Sequence, residues 1–383
     1  MDKRVYFLMI VSFIIGMVEL IIGGILDLIA TDLQVSLGKA GFLITIFSLI
    51  FAIAGPILLI VTANVERKRL TLISLYVFLI GNIITVISST YFIVFIGRVV
   101  TATSGALLII LCLVMAPRLV EEKYRGRAIG LVSMGVSASL VLGVPLGMTL
   151  GHSLGWRAPF ILVCFLTVFS ILGVHVFMDR VRPKPSIPLN KQLATLKSKK
   201  ILFAHLTTFL FLAGHTTIYA YLNPFLQETM GLTGNWISII YFIFGIAAVS
   251  GGGLGGTLAD ILGAKKTILS VTIIFATAIF LIPITTSWMP IFLVILIIWG
   301  IMSWAISPAM QSYLIETSPE TSDIQQSLNN SSLHFGIAFG SFVGSIVIEN
   351  ISVVHNATVG GVLVVGSLLT AIISMISQTS TTK

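Results

Sequence analysis

The sequence predicts an all-α integral membrane protein of twelve transmembrane helices in two six-helix halves. Three observations lead there. Of 383 residues, 56% are hydrophobic and only 9% are charged, against roughly 25% charged in soluble domains, and mean hydropathy is +1.07. Twelve apolar segments reach the roughly 20 residues that cross a hydrocarbon core as a helix. One long polar stretch, Asp179 to Lys200, then divides them six and six.

Taken in order, spans 1 to 6 are expected near 5–30, 41–63, 70–89, 91–115, 127–150 and 157–178. Spans 7 to 12 are expected near 201–225, 236–258, 266–286, 289–313, 326–349 and 357–377. Each is bounded by charged, Gly-rich or Pro-containing turns. Span 1 follows Lys3 and Arg4 as a signal peptide would, yet it is too long for an h-region and lacks a small-residue cleavage site, so it is read as retained. The domains are therefore 1–178, a linker over 179–200, and 201–383. Cys112 and Cys164 fall inside apolar segments, so they describe no disulfide framework. The N-x-S/T matches at Asn329, Asn330 and Asn356 are weak, the first two lying within an expected span.

Orientation follows from the 22 Lys and Arg. With the N-terminus inside, inner segments hold Lys3, Arg4, Arg67, Lys68, Arg69, Arg118, Lys123, Arg125, Arg127, the seven between Arg180 and Lys200, Lys265, Lys266 and Lys383. Outer loops hold only Lys39 and Arg157. This positive-inside bias puts both termini in the cytoplasm of a cell-membrane protein. The formal charge of +8 thus reports topology and attraction to anionic lipid, and gives no reason to expect nucleic-acid binding. Arg98 alone is left over, inside span 4.

The halves share punctuation. "GGTLADILGAKKTIL" (Gly255 to Leu269) stands between spans 8 and 9, and "VTANVERKRLTLI" (Val61 to Ile73) between spans 2 and 3; aligning Asp260 with Asn64 brings Lys265 onto Arg69. "GTLADILGAKK" resembles the cytoplasmic loop motif of the major facilitator superfamily. The resemblance implies that fold, with Asp260 as an acidic helix cap pairing with basic loop residues such as Lys265 beyond Gly263, a lock between states. The first-half copy departs from it, with Asn64 for the Asp and Arg67 for the second Gly, and keeps Arg69. In span 5, "GVSASLVLGVPLG" (Gly135 to Gly147) resembles the Gly/Pro motif of antiporters in that superfamily, which implies a conformational role for Gly143, Pro145 and Gly147. Small residues allow close helix approach and a proline frees a carbonyl. Span 11 is again small at every fourth position, in "GIAFGSFVG" (Gly336 to Gly344).

Ionisable groups within a bilayer are costly and so are functional-site hypotheses. Glu19 lies 14 residues past the inner start of span 1, about 21 Å at a helical rise. His215 lies equally far into span 7, and Arg98 about 10 Å in from the outer start of span 4, which is the same layer. Asp27 comes out near the outer interface, where water can reach it, and joins Glu19 and Arg98 as a proton-coupling candidate. Glu19 and Arg98 are either a static ion pair or a proton-coupling site, and His215 either contacts substrate or packs; both alternatives stand on sequence alone. Candidate substrate contacts are His215, Tyr219, Tyr221 and Asn223 on span 7, Trp304 and Gln311 on span 10, and Asn330 and His334 on span 11, with Trp299, Ser303 and Asn329 nearby. Together they describe a polar, aromatic pocket of little net charge, suited to a flat hydrogen-bonding solute. In the superfamily fold spans 1, 4, 7 and 10 line the central cavity.

Four stretches, "GMVELIIGGILDLIA", "ERKRL", "AGHTTIYAYLNPFL" and "QSYLIETSPETSDIQQSLNNSSLHFGIAFGS", are similar to the purine efflux pumps of bacilli among the twelve-helix drug:proton antiporters. Asp27 departs from them, standing where a proline is expected. What the resemblance implies is proton-driven efflux of purine bases and nucleosides or their analogues. The alternative is a polyspecific multidrug efflux pump for lipophilic cations. An enzyme is not expected, since neither a phosphate-binding G-x-x-x-x-G-K-[ST] loop nor metal-ligand spacing is present. No cofactor is expected either, the proton gradient supplying the energy. The partners are then a small-molecule substrate, protons and the bilayer, with the monomer as the working unit and alternating access as its mechanism.

Overall fold

The computed structural model describes residues 2–121, 125–180 and 195–377, and the regular elements among them are helical. Among the described residues, twelve helices are long and apolar enough to cross a membrane: Lys3–Gly24, Leu37–Val61, Arg67–Ile87, Tyr91–Met115, Leu131–Leu154, Ala158–Phe177, Lys199–Tyr219, Asn235–Leu262, Ala264–Thr285, Met289–Thr317, Ile324–Asn350 and His355–Ile376. They are spans 1 to 12. In lipid a helix satisfies its own backbone, which is why apolar runs of this length adopt it. Spans 1 and 2 begin with side-chain caps. The Asp2 side chain accepts from the Arg4 amide at 2.9 Å, and Ser36 Oγ from the Lys39 amide at 3.1 Å. The chain divides into two compact units, Met1–Ile187 and Pro188–Lys383. Most of the expected linker, residues 181–194, lies outside the described residues, as do Lys123 and Lys383.

In the first unit span 1 lies against span 5, and span 4 packs on spans 2 and 3. Leu8, Val11, Ile15, Phe47, Phe78 and Leu108 belong to its apolar core. Span 5 contains a wider, π-type turn over Ser139–Gly143, just ahead of Pro145, where the proline's missing N–H interrupts the regular ladder. A Cβ on Gly147 would come within 2.2 Å of Ile21 Cδ1, and one on Gly143 within 3.2 Å of Met17 Cβ. Gly143 and Gly147 thus serve close packing of span 5 on span 1.

The second unit repeats the scheme, with span 7 against spans 11 and 12, and span 10 against spans 8 and 9. Its first helix is joined to its neighbours by polar side chains. His205 Nε2 bonds Gln325 Oε1 at 2.9 Å, Thr208 Oγ1 donates to Asn329 Oδ1 at 2.7 Å, and Ser367 Oγ donates to the Thr207 carbonyl at 2.8 Å. Gly340 makes the closest glycine approach to span 7, since a Cβ there would meet the Ala213 carbonyl oxygen at 2.1 Å.

Two expected boundaries are corrected. Spans 1 and 7 were each expected to run unbroken, to 30 and to 225. Instead span 1 ends at Gly24 and a short helix, Leu26–Asp32, follows, while span 7 ends at Tyr219 before Leu222–Met230. The break residues share one conformation: Ile25 has φ −120°, ψ 21° and Tyr221 has φ −116°, ψ 19°. Both stand equally far from the first residues of their helices, Lys3 and Lys199. Pro224 accounts for the second break, because a proline without an N–H is tolerated in a first turn. The Gly23, Gly24 pair precedes the first break and weakens the helix there.

Candidate functional site

In the first unit the site is built on the crossing of spans 1 and 4. Arg98 is buried, 1% exposed, and its Nη1 donates to the Val18 carbonyl at 2.7 Å. Its guanidinium lies 4.0 Å over the Phe47 ring, a cation–π contact in a desolvated setting. Nε and Nη2 have no hydrogen-bond partner among the described residues. Glu19, the residue after Val18, is partly buried, and its carboxylate and the guanidinium act on each other electrostatically. The hydrogen bond of Arg98 therefore anchors it to the backbone beside the carboxylate. Asp27 stands elsewhere, in the first turn of the short helix beyond the break, where its carbonyl accepts from Thr31 Oγ1 at 2.8 Å.

In the second unit the corresponding position is His215, as far into span 7 as Glu19 is into span 1. Trp299 Nε1 donates to His215 Nδ1 at 3.2 Å. The imidazole stacks on Tyr219, with centroids 5.1 Å apart and planes at 19°, and lies 6.1 Å from the Phe244 ring. Tyr241 meets Tyr219 edge-on at 5.7 Å. The Tyr219 hydroxyl is buried with no hydrogen-bond partner among the described residues. The Tyr219, Phe244, Phe275 and Trp299 rings thus surround the imidazole, and one of them carries an unengaged hydroxyl.

Several expected contacts fall outside this cluster. The tryptophan against His215 is Trp299, not Trp304. They stand five positions apart, which is about 140° around a helix, and Trp304 is only partly buried. The Tyr221 hydroxyl donates to the Ser341 carbonyl at 3.0 Å, so Tyr221 ties span 11 to the break in span 7. Asn223 is buried and accepts from Gln227 Nε2 at 3.0 Å. Gln311 is exposed, its Nε2 3.4 Å from Ser307 Oγ, and Asn330 is exposed while its neighbour Asn329 takes the buried bond to Thr208. His334 is buried on span 11.

The paired loops are also corrected. In the first loop the acidic cap is Glu66, whose carboxylate accepts from the Lys68 and Arg69 amides at 2.8 and 2.9 Å; Asn64 is exposed. Arg67 is buried and donates to the Thr62 and Ala63 carbonyls at 3.3 and 3.4 Å, closing the C-terminal end of span 2. In the second loop span 9 has no side-chain cap, and Asp260 and Lys265 are exposed. Gly263 both ends span 8 and begins span 9 at φ 85°, a conformation that favours glycine. Arg67 can replace it in the first loop because that turn takes no such angle.

One cluster had no sequence signal. Trp156 Nε1 and Arg157 Nη1 both donate to Asp32 Oδ2, at 2.9 and 2.8 Å, and Arg157 Nη2 donates to the Ser88 carbonyl at 2.8 Å. These residues clasp the short helix after span 1 to the start of span 6 and the end of span 3. The Trp156 bond, then the Arg157 bond, hold the Asp32 carboxyl below its ordinary value. Each partner is unremarkable alone, and only folding brings them together.

The profile described as Major Facilitator Superfamily matches residues 8–341 and 205–379. An MFS-type transporter of Bacillus subtilis (strain 168), YbcL, is 34% identical over 376 residues, covering 98% of this chain and 96% of that protein. A probable sugar efflux transporter of Mannheimia succiniciproducens is 27% identical over 367 residues, covering 94% and 90%. Among solved structures, a bacterial homolog to the human lysosomal transporter Spinster, inward-facing and unoccupied, superposes with a TM-score of 0.73 at 16% identity, covering 97% of this chain and 95% of that one. That likeness is one of fold.

Proposed function

Because the chain belongs to the Major Facilitator Superfamily, we propose that it is a proton-coupled antiporter exporting purine bases, nucleosides or their analogues by alternating access. It acts as a monomer in the cell membrane with both termini in the cytoplasm. One observation carries the reading: the two halves hold different chemistry at the same repeat position. The first half has an interacting carboxylate and guanidinium, the second a neutral imidazole among aromatic rings. A proton on Glu19 cancels its pull on Arg98, so proton occupancy and the arrangement of spans 1 and 4 are linked. The second cluster supplies stacking faces and hydrogen-bonding groups, which a flat heterocycle needs and an inorganic ion does not.

Export of a sugar is the second reading, favoured by the similarity to the probable sugar efflux transporter of Mannheimia succiniciproducens. A lipophilic cation is disfavoured, because Arg98 offsets Glu19. The test is transport into reconstituted vesicles under an imposed pH gradient, comparing hypoxanthine, adenine, glucose and a cationic dye. Movement of the purines is expected. Movement of glucose or dye in their place replaces the substrate class, and transport of any solute without proton dependence removes the coupling.

A further inference from the structure

An indole N–H can only donate. Trp299 Nε1 points at His215 Nδ1 from 3.2 Å, so Nδ1 must present its lone pair, and a neutral imidazole then carries its single proton on Nε2. Stacking on Tyr219 and the nearby Phe244 and Phe275 rings fixes the ring plane. Beside it the buried Tyr219 hydroxyl has no partner among the described residues, and an unpaired buried hydroxyl costs free energy until something bonds it. We infer that Trp299 is a positioning residue that holds His215 as the Nε2–H tautomer, and that this donor and the Tyr219 hydroxyl together recognise a planar ligand bearing a hydrogen-bond acceptor.

The ligand is specified by complementarity. Nε2–H requires an unprotonated ring nitrogen or a carbonyl oxygen, and the adjacent hydroxyl accepts from or donates to a second polar group on the same edge. A 6-oxopurine such as hypoxanthine presents a carbonyl and a ring nitrogen side by side. An organic cation without an acceptor leaves the Nε2–H donor unpaired, and a site built to hydrogen-bond rejects such a compound. The identity of the ligand rests on the purine reading proposed above; the tautomer does not.

The full-length chain, labelled with 15N-histidine and held in lipid nanodiscs, tests both parts. Nitrogen spectra are expected to show His215 protonated at Nε2 and bare at Nδ1 in the wild type, with a mixture of tautomers in Trp299→Phe. A wild-type proton on Nδ1 overturns the inference. Hypoxanthine should bind Trp299→Phe about tenfold more weakly, the worth of roughly one neutral hydrogen bond. His215→Gln, which keeps a donor near the Nε2 position, should retain more binding than His215→Leu. Equal affinities in either comparison overturn the donor role. If the wild type binds no hypoxanthine, the purine reading falls, while the nitrogen signals still decide the tautomer.

Discussion

The crossing of spans 1 and 4 and the crossing of spans 7 and 10 are two versions of one arrangement. In each, the first helix of a half carries one unusual polar side chain at the same position, Glu19 or His215. In each, a donor on the fourth helix reaches it or its neighbour: Arg98 bonds the Val18 carbonyl, and Trp299 bonds the imidazole. The first version holds a carboxyl group and a guanidinium, and the second an imidazole and an indole. The comparison teaches that repetition supplied the backbone crossing, while substitution at a few positions left a carboxylate and a guanidinium at one crossing and an imidazole among aromatic rings at the other.

The largest test of that division is Glu19→Gln against His215→Gln in the same vesicles. The first is expected to reduce gradient-driven transport to background while counterflow of preloaded substrate persists; the second should leave proton dependence intact and weaken substrate affinity about tenfold or less. If His215→Gln abolished the proton dependence and Glu19→Gln did not, the assignment of the halves would be reversed.

Packing sharpens the contrast at a smaller scale. A Cβ on Gly340 meets the backbone oxygen of Ala213, which cannot move without its helix, whereas one on Gly147 meets the flexible end of Ile21. Gly340→Ala is therefore expected to cost about 1–3 kcal/mol, an ordinary overpacking penalty, and Gly147→Ala clearly less. Thermal unfolding in detergent measures both, and equal losses would mean that span 5 and span 11 are held alike.

The loops differ by a cap. Glu66→Ala removes two charge-assisted bonds to amides and should lower stability by about 1 kcal/mol, while Asp260→Ala, exposed and capping nothing at span 9, should change stability little. Denaturation of the two variants side by side decides it. A greater loss in Asp260→Ala would restore the acidic cap to the second loop.

The smallest effect belongs to the Asp32 clasp. Its carboxyl is held below the ordinary value of 3.8, so its stabilisation is fully present above that value and disappears as pH falls through the lowered one. Asp32→Asn should thus be less stable than wild type near neutral pH, by at most about 1 kcal/mol for so exposed a pair. The gap should close below pH 3.8. A gap that persisted in acid would show that the ionised carboxylate is not what holds the clasp.

Reading the sequence recovered the twelve spans and the division into six and six, and it singled out Glu19, Arg98 and His215, which the structure places on spans 1, 4 and 7. Hydropathy could not register the breaks at Ile25 and Tyr221, since a change of one residue's backbone angles leaves apolar content unaltered on both sides. Nor could it choose Trp299 over Trp304, or Asn329 over Asn330, because both members of each pair have the same composition and differ only in the helix face they occupy.

By itself, the sequence determined that this chain lives in a bilayer, because apolar runs with so few charges have no stable place in water, and helices are the form that satisfies their backbone there. Only the tertiary structure decided that Arg98 bonds a carbonyl beside Glu19, that Glu66 and not Asn64 caps span 3, and that Asp32 finds Trp156 and Arg157. The physical reason is range: burial and helix formation are set by composition over about 20 neighbouring residues, whereas a hydrogen bond is made or lost within a few tenths of an ångström, between residues that folding alone brings together.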